Sequence, residues 1–224
     1  MTIVCSVFAT ILGGTYAFSE FDSELELNSV SEFAAYTHDP SNGLIRMRNV
    51  KGIEFAVQYL PTGTLVERQL RHVKDFDKSL TDRFKQQYEK SLGFEFSFGA
   101  DGVLAEGDAT YLGIHDYSEY AARVKTINFE LDQLIELQVG SKRFVPKLAL
   151  AENTYSLSKT RKVLVMFSDH ELNDVFTHAN ECTFVFDDRI FNNGILKFRF
   201  DISDILSMPE FPYASLQRVN SLDK

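Results

Sequence analysis

Alternating apolar and polar positions dominate the second half of the chain and predict a run of strands. The first three are expected at residues 125–131, 134–139 and 144–150, where apolar side chains recur at every second position. A fourth, at residues 163–167, is nearly all apolar, which is typical of a central strand covered on both faces. Because no connection between them is long enough for a helical crossover, we expect antiparallel pairing.

The same criterion predicts further strands on both sides of this run. Residues 44–48 and 53–60 form an expected hairpin, and residues 94–98 carry three phenylalanines on one side of a strand. After the run, residues 182–186 and 195–202 read as two more strands around a turn. The chain therefore has enough strands for two packed sheets.

The hydrophobic period changes to that of a helix between the strands at 53–60 and 94–98. Apolar residues recur there at spacings of three, four or their sum, which predicts one long amphipathic helix at about 64–92. The residues that define this face are Leu65, Val73, Phe76, Leu80, Phe84, Tyr88 and Leu92. Mixed charges cover the rest of the segment and indicate a solvated face. The predicted fold is mainly β (α+β), with antiparallel, sandwich-like sheets and this single inserted helix.

The alternation also selects the side chains expected in the core. They either have polar neighbours on both sides or sit in all-apolar strands. The predicted core consists of Phe129, Leu131, Leu137, Leu148, Leu164, Val165, Phe167, Phe184, Phe186, Phe198 and Phe200.

The first seventeen residues differ from the rest of the chain because they contain no charge. Their short apolar run and the Thr15-Tyr16-Ala17 triplet predict a secretory signal peptide over residues 1–17, cut after Ala17. A single β-rich domain would then cover residues 18–207, with a loose tail at 208–224. The alternative is a cytoplasmic protein whose first strand is residues 3–12. No other apolar run approaches ~20 residues, so we expect no transmembrane segment.

Net charge and cysteine count narrow the possible partners. The formal net charge is −9, from 32 acidic and 23 basic side chains. Such a chain is not expected to bind nucleic acid or an anionic membrane surface, which both require a basic face. Once residues 1–17 are removed, Cys182 is the only cysteine, so no disulfide is expected.

Three groups of residues have the types needed for catalytic or metal chemistry, and ordinary structural roles also account for them. Cys182 with His178 and His170 has the residue types of a cysteine nucleophile, but its apolar surroundings favour a core position. A set of oxygen ligands follows consecutive strands and would suit calcium, although turn formation explains it better. That set is Asp169, Asp174, Asp187, Asp188, Asn192 and Asn193. The five histidines lack zinc spacing, and no nucleophile-elbow or phosphate-loop motif is present. No catalytic, cofactor-binding or metal-binding residue is therefore predicted.

The C-terminal half resembles the uncharacterised exported immunoglobulin-like or β-sandwich proteins of bacteria, many of which are lipoproteins. In those proteins a turn and an aromatic-x-Pro triplet precede a polar link and an apolar strand that ends in Phe. The corresponding residues here are Phe144, Val145 and Pro146, then the strand at 163–167. The similarity covers about 80 residues. It implies a sandwich fold and export, and it carries over no catalytic residue. Val4 precedes Cys5, where a lipoprotein signal has a small residue.

These observations predict an exported, non-enzymatic protein that binds a protein or a component of the cell envelope. The alternative is a hydrolase that uses a pair of carboxylates on its loops. A deep pocket with two acids of shifted pKa would favour the hydrolase, whereas a flat aromatic or polar surface would favour the binding protein.

Overall fold

A computed structural model describes residues 26–100, 109–152 and 159–216. The nine strands in these ranges are β1 (Ile45–Val50), β2 (Ile53–Leu60), β3 (Leu92–Ala100), β4 (Ile135–Val139), β5 (Lys142–Phe144), β6 (Leu148–Ala151), β7 (Thr160–Phe167), β8 (Glu181–Asp188) and β9 (Gly194–Asp201). The helices are α1 (Val30–His38), α2 (Thr62–Leu70), α3 (Lys78–Tyr88), α4 (Tyr117–Phe129), α5 (Leu172–His178) and α6 (Ile202–Leu206). Short 3₁₀ turns occupy Pro40–Asn42, Ala109–Tyr111 and Leu131–Gln133.

The strands form two antiparallel sheets. The five-stranded sheet has the order β1-β2-β3-β7-β6, and the four-stranded sheet has the order β5-β4-β8-β9. All of their pairs are antiparallel. The predicted α+β fold with antiparallel sheets is confirmed.

One apolar core joins the facing sides of the two sheets, which gives a sandwich-like arrangement. Aromatic rings cross the space between them: the ring centroids of Phe96 and Phe186 are 4.7 Å apart, and those of Phe94 and Phe184 are 5.6 Å apart. Eight of the eleven predicted core residues are buried: Leu131, Leu137, Val165, Phe167, Phe184, Phe186, Phe198 and Phe200. All of them except Leu131 lie on strands, where their burial confirms the predicted core positions.

The single long helix predicted at about 64–92 is wrong, because α2 and α3 are separate helices. Asp77 caps the second one: its side chain accepts a hydrogen bond from the Leu80 backbone N–H. Phe76, in the connection between them, still packs on the cluster around Val66 and Leu70. The apolar spacing therefore continues across the break, although the backbone does not. Leu92 belongs to β3.

The strand predicted at residues 125–131 is also wrong, since these residues end α4 and enter a 3₁₀ turn. Asp116 caps this helix by accepting from the Glu119 N–H, and the Glu119 carboxylate in turn accepts from the His115 N–H. Ile127 and Leu131 are buried four residues apart, which fits one helix face, whereas Phe129 is 76% exposed. Phe129 is thus not a core residue.

The return strand predicted at residues 144–150 is divided between the two sheets. β5 pairs with β4, and after the buried Pro146 the chain crosses to the other sheet, where β6 pairs with β7. Leu148 is 43% exposed on the outward face, and Leu164 of β7, which lies opposite Leu150, is half-buried on the same face. The prediction that these two leucines belong to the central core is wrong.

The tail from residue 208 is not loose as far as residue 216. Phe211 packs against Phe33 of α1 with ring centroids 5.0 Å apart, and Leu216 is buried against Val66 and Leu70 of α2. Residues 217–224, like the expected signal peptide at 1–17, lie outside the described ranges. Within those ranges no helix is long and apolar enough to cross a membrane.

Candidate interaction surface

The structure separates the components of the cysteine nucleophile. Cys182 faces the core from β8 and is fully buried, and burial raises the pKa of its thiol to about 12. His178 and His170 lie on the surface with exposed imidazole rings. The thiol therefore has no imidazole to activate it and acts as a small apolar side chain, as predicted.

The six proposed oxygen ligands of a cation are not brought into one site, although Asn193 Nδ2 donates to Asp188 Oδ2 at 2.8 Å. Asp169 and Asp174 precede β8, whereas Asp187 is its last residue but one, so roughly 20 Å of strand separates Asp187 from the start of β8. Asp188 holds the following turn: its Oδ1 accepts from the backbone N–H groups of Ile190 and Phe191. No group of three or more His, Cys, Asp or Glu side chains in the described ranges is arranged to hold a metal ion.

Carboxyls with a shifted pKa are engaged in pairs rather than gathered in a cleft. The most buried of them, Glu95 on β3, accepts 2.6 Å hydrogen bonds from Lys162 and from Arg68 of α2. Burial raises the pKa of this carboxyl, but the two hydrogen bonds lower it more, so the net shift is downward. The pKa values of Glu130 and Glu171 are also lowered, mainly by hydrogen bonds from lysines. Lowered values keep these acids ionised, whereas the general acid of a hydrolase needs a raised pKa.

Three of the exposed large apolar side chains in the described ranges lie together at one edge of the five-stranded sheet. β6 is the last strand of that sheet, and none of its four residues is buried. Leu148 and Leu150 are 43% and 56% exposed on its outward face, and Val145 is exposed just before the strand. Edge strands usually carry charged side chains that discourage further pairing. β6 has none between Lys147 and Glu152.

The two leucines continue an apolar strip across the outward face of the sheet. Leu148 lies opposite Met166, and Leu150 opposite Leu164, on β7. Met166 in turn packs with Leu65 of α2 in a small cluster outside the main core. We call Leu148 and Leu150, together with the free backbone edge of β6, the β6 surface.

The backbone of β6 offers hydrogen-bonding groups along this edge. The Glu152 N–H donates to the Lys162 carbonyl of β7 at 2.8 Å. Because antiparallel residues alternate in the side to which their N–H and C=O groups point, those of Ala149 and Ala151 point away from β7. In the part of the chain that the structure describes, β6 pairs with β7 alone. This edge can therefore accept another strand.

The sequence alone does not reveal the β6 surface. Apolar residues that alternate along a strand have the same spacing whether they face the core or the solvent. Leu148 and Leu150 alternate as core residues do, but the alanines between them face the core. The sequence signal is that large and small apolar residues alternate over Leu148–Ala151, and this leaves open whether the leucines or the alanines face the core.

Comparison with known proteins assigns no family to the chain. No family model matches the sequence, and a search of curated proteins finds no relative. Among solved structures, the chain is similar to a protein of unknown function from Burkholderia pseudomallei, with a TM-score of 0.38 and 11% identical residues. The similarity covers 79% of this chain and 85% of that protein. The immunoglobulin-like resemblance of the C-terminal half stays a prediction.

Proposed function

We propose that this chain is a non-enzymatic binding protein that recognises an extended segment of a partner protein by pairing it with β6. The observation that carries the proposal is the uncharged, unburied edge strand with two exposed leucines. Addition of a strand to a sheet edge is a common mode of peptide recognition, in which main-chain hydrogen bonds give affinity and alternate side chains give specificity.

The geometry of β6 specifies the bound segment. Its backbone would pair with the N–H and C=O groups of Ala149 and Ala151, which face the free edge. Its side chains on the outward face would lie beside Leu148 and Leu150, so apolar residues are expected at every second position. Burial of these leucines contributes about 25 cal/mol per Å² of apolar surface removed from water.

The size of the β6 surface favours such a segment over a second copy of the chain. β6 contains only four residues. A stable association of two folded proteins usually buries roughly 1,200–2,000 Å², far more than two four-residue strands provide. An extended peptide can follow so short a strand without a large interface and can also contact Val145 and the strip around Met166.

The test is a selection of phage-displayed random peptides on the purified protein. Selected peptides should alternate apolar residues and should slow hydrogen exchange at the Ala149 and Ala151 amides. Ala149→Pro removes one of these donors, and Leu150→Lys places a charge on the surface. Both substitutions should abolish peptide binding.

Met47→Lys is the matched control for Leu150→Lys. Met47 lies on the other edge strand of the same sheet, also faces outward, and is 52% exposed. It should leave peptide binding unchanged. Equal loss in both lysine variants, or self-association of the parent through β6 in light scattering, would contradict the proposal.

We further propose that the chain acts outside the cytoplasm, on a protein or another component of the cell envelope. The support is the uncharged apolar segment at residues 1–17, which ends in Thr15-Tyr16-Ala17. The intact mass of the native protein should correspond to a chain that begins at Phe18. Retention of Met1 would overturn export by a cleaved signal peptide without affecting the peptide-binding test.

A further inference from the structure

A polar groove of about 700 Å³ lies on the outward face of the four-stranded sheet, away from β6. The side chains that matter for its chemistry are Arg48, Gln138, His178, Thr183, Lys197 and Arg199. A volume of this size is within the range of small-molecule sites.

The sheet register places these side chains in rows. Gln138, Thr183 and Arg199 are direct neighbours across β4, β8 and β9. They face outward because the residues that flank them, such as Cys182 and Phe200, face the core. Lys197 lies two residues from Arg199 on the same face of β9, so the two cations are separated by roughly 7 Å along the strand.

The rim of the groove is completed from the other sheet. Arg48 of β1 reaches β9, and its guanidinium carbon is 5.9 Å from the centroid of the Phe198 ring. Two residues earlier, Arg46 donates from Nε to the Arg199 carbonyl at 2.7 Å. β1 is thereby attached to β9, which holds Arg48 beside the groove.

The groove carries more positive than negative charge, in contrast with the whole chain. Arg199 is partly neutralised by Glu181, with Nε and Oε2 3.4 Å apart. Arg48 and Lys197 form no ion pair with any residue in the described ranges. The chain as a whole has a formal net charge of −9, so unneutralised cations at one site are not a consequence of composition.

We propose that this groove binds an organic anion with at least two carboxylate or phosphate groups. Lys197 and Arg48 supply charge that has no internal partner, and Arg199 offers a guanidinium that can exchange Glu181 for the ligand. Gln138 and Thr183 supply neutral donors between them. This ligand is distinct from the peptide proposed for β6, which lies on the other sheet.

Calorimetric titration tests the groove with two probes, tripolyphosphate for phosphate and citrate for carboxylate. The parent should bind at least one of them saturably at low ionic strength. Lys197→Gln and Arg48→Gln should each weaken binding roughly tenfold, the usual loss of one charge-assisted hydrogen bond. The preferred probe identifies the charged group of the natural ligand.

Lys90→Gln is the control, because it makes the same change in net charge at an exposed residue after α3. It should bind both probes as the parent does. Absence of saturable binding in the parent, or an equal loss in Lys90→Gln and Lys197→Gln, would overturn the proposal. Thermal melting of each variant checks that these exposed substitutions leave the fold intact.

Discussion

At the scale of single residues, phenylalanine is the commonest residue of the shared core in the described ranges. Ten phenylalanines in the described ranges are among the largest fully buried side chains, and those on β3 contact rings on both β8 and β9. Edge-to-face and tilted ring pairs add about 0.5–1.5 kcal/mol each to the stabilisation from burial. Loss of one buried ring therefore affects several others.

Phe198→Ala and Phe129→Ala form a matched pair, because the sequence predicts both rings in the core and only Phe198 is there. Phe198 is buried against Phe184, and its removal should lower the free energy of unfolding by ~3–5 kcal/mol. Phe129→Ala should cost less than about 0.5 kcal/mol, since this ring is solvated. Urea denaturation measures both, and similar losses in the two variants would contradict the packing described here.

Glu95 should make stability depend on pH in the acidic range. The pKa of its carboxyl is lowered in the folded state, so its contribution is fully present above the ordinary value of 4.5 and is lost as the pH falls through the lowered value. Glu95→Gln should reduce the free energy of unfolding at neutral pH by ~1–3 kcal/mol, because Arg68 and Lys162 lose a charged acceptor. The variant should also lose part of the acid dependence in urea titrations.

Glu130→Gln is the control for this dependence. Glu130 has a lowered pKa as well, through Lys125 and Thr126, but it lies at the exposed end of α4. Its substitution should change stability little at any pH, since exposed ion pairs contribute weakly. An identical pH profile for the parent and Glu95→Gln would show that the Glu95 pairs do not contribute.

At the scale of elements, the sequence predicts strands better than helices. Strands that face one core keep strict alternation, as in β9, where Leu196, Phe198 and Phe200 are buried and their neighbours exposed. Residues 127–131 also alternate, but helix and strand patterns coincide over so short a stretch. Asp116 and Glu119 cap the start of α4 and favour the helix there. The hydrophobic pattern alone does not reveal this preference.

The candidate surface could be predicted only in part. The sequence places a strand near Leu148, but which face meets the core depends on the pairing with β7, a contact between distant segments. The groove also depends on a contact between distant segments. Arg48 and Lys197 are far apart in the sequence and line the same groove because β1 contacts β9. Both sites form through tertiary contacts, so no local sequence motif predicts either of them.

Gly63 should be essential for docking the C-terminal segment on α2. A Cβ at this position would lie 2.2 Å from Cγ of Phe211, which is closer than any real contact. Gly63→Ala should therefore displace Phe211 and increase chymotrypsin cleavage near residue 211. The Cβ of Phe211 would lie as close, at 2.3 Å, so only Phe211→Gly in the same chain removes the obstacle, and the double variant should melt as Phe211→Gly alone does. Equal cleavage of the parent and Gly63→Ala would contradict this packing.

At the scale of the whole molecule, the two ends of the five-stranded sheet are unlike. β1 is attached to β9 through the Arg46 hydrogen bond to Arg199 and through ion pairs of Arg46 with Asp201 and Asp204, at 3.9 and 3.8 Å. Lys51 adds a 3.5 Å hydrogen bond to the Asn192 carbonyl. The opposite end finishes at β6, whose one strand neighbour in the described ranges is β7, and which α4 and the turn at Leu131–Gln133 also contact.

This asymmetry bears on how many partner segments one molecule can bind by strand addition. A sheet with two free edges can join strands on both sides and extend into a chain of subunits, whereas a sheet with one free edge can accept a single strand. At the β1 end the Arg46 side chain binds β9 of the second sheet, so we expect a further strand to be added at the β6 end. With one strand bound per molecule, a partner that displays several extended segments would be decorated with one protein per segment rather than cross-linked.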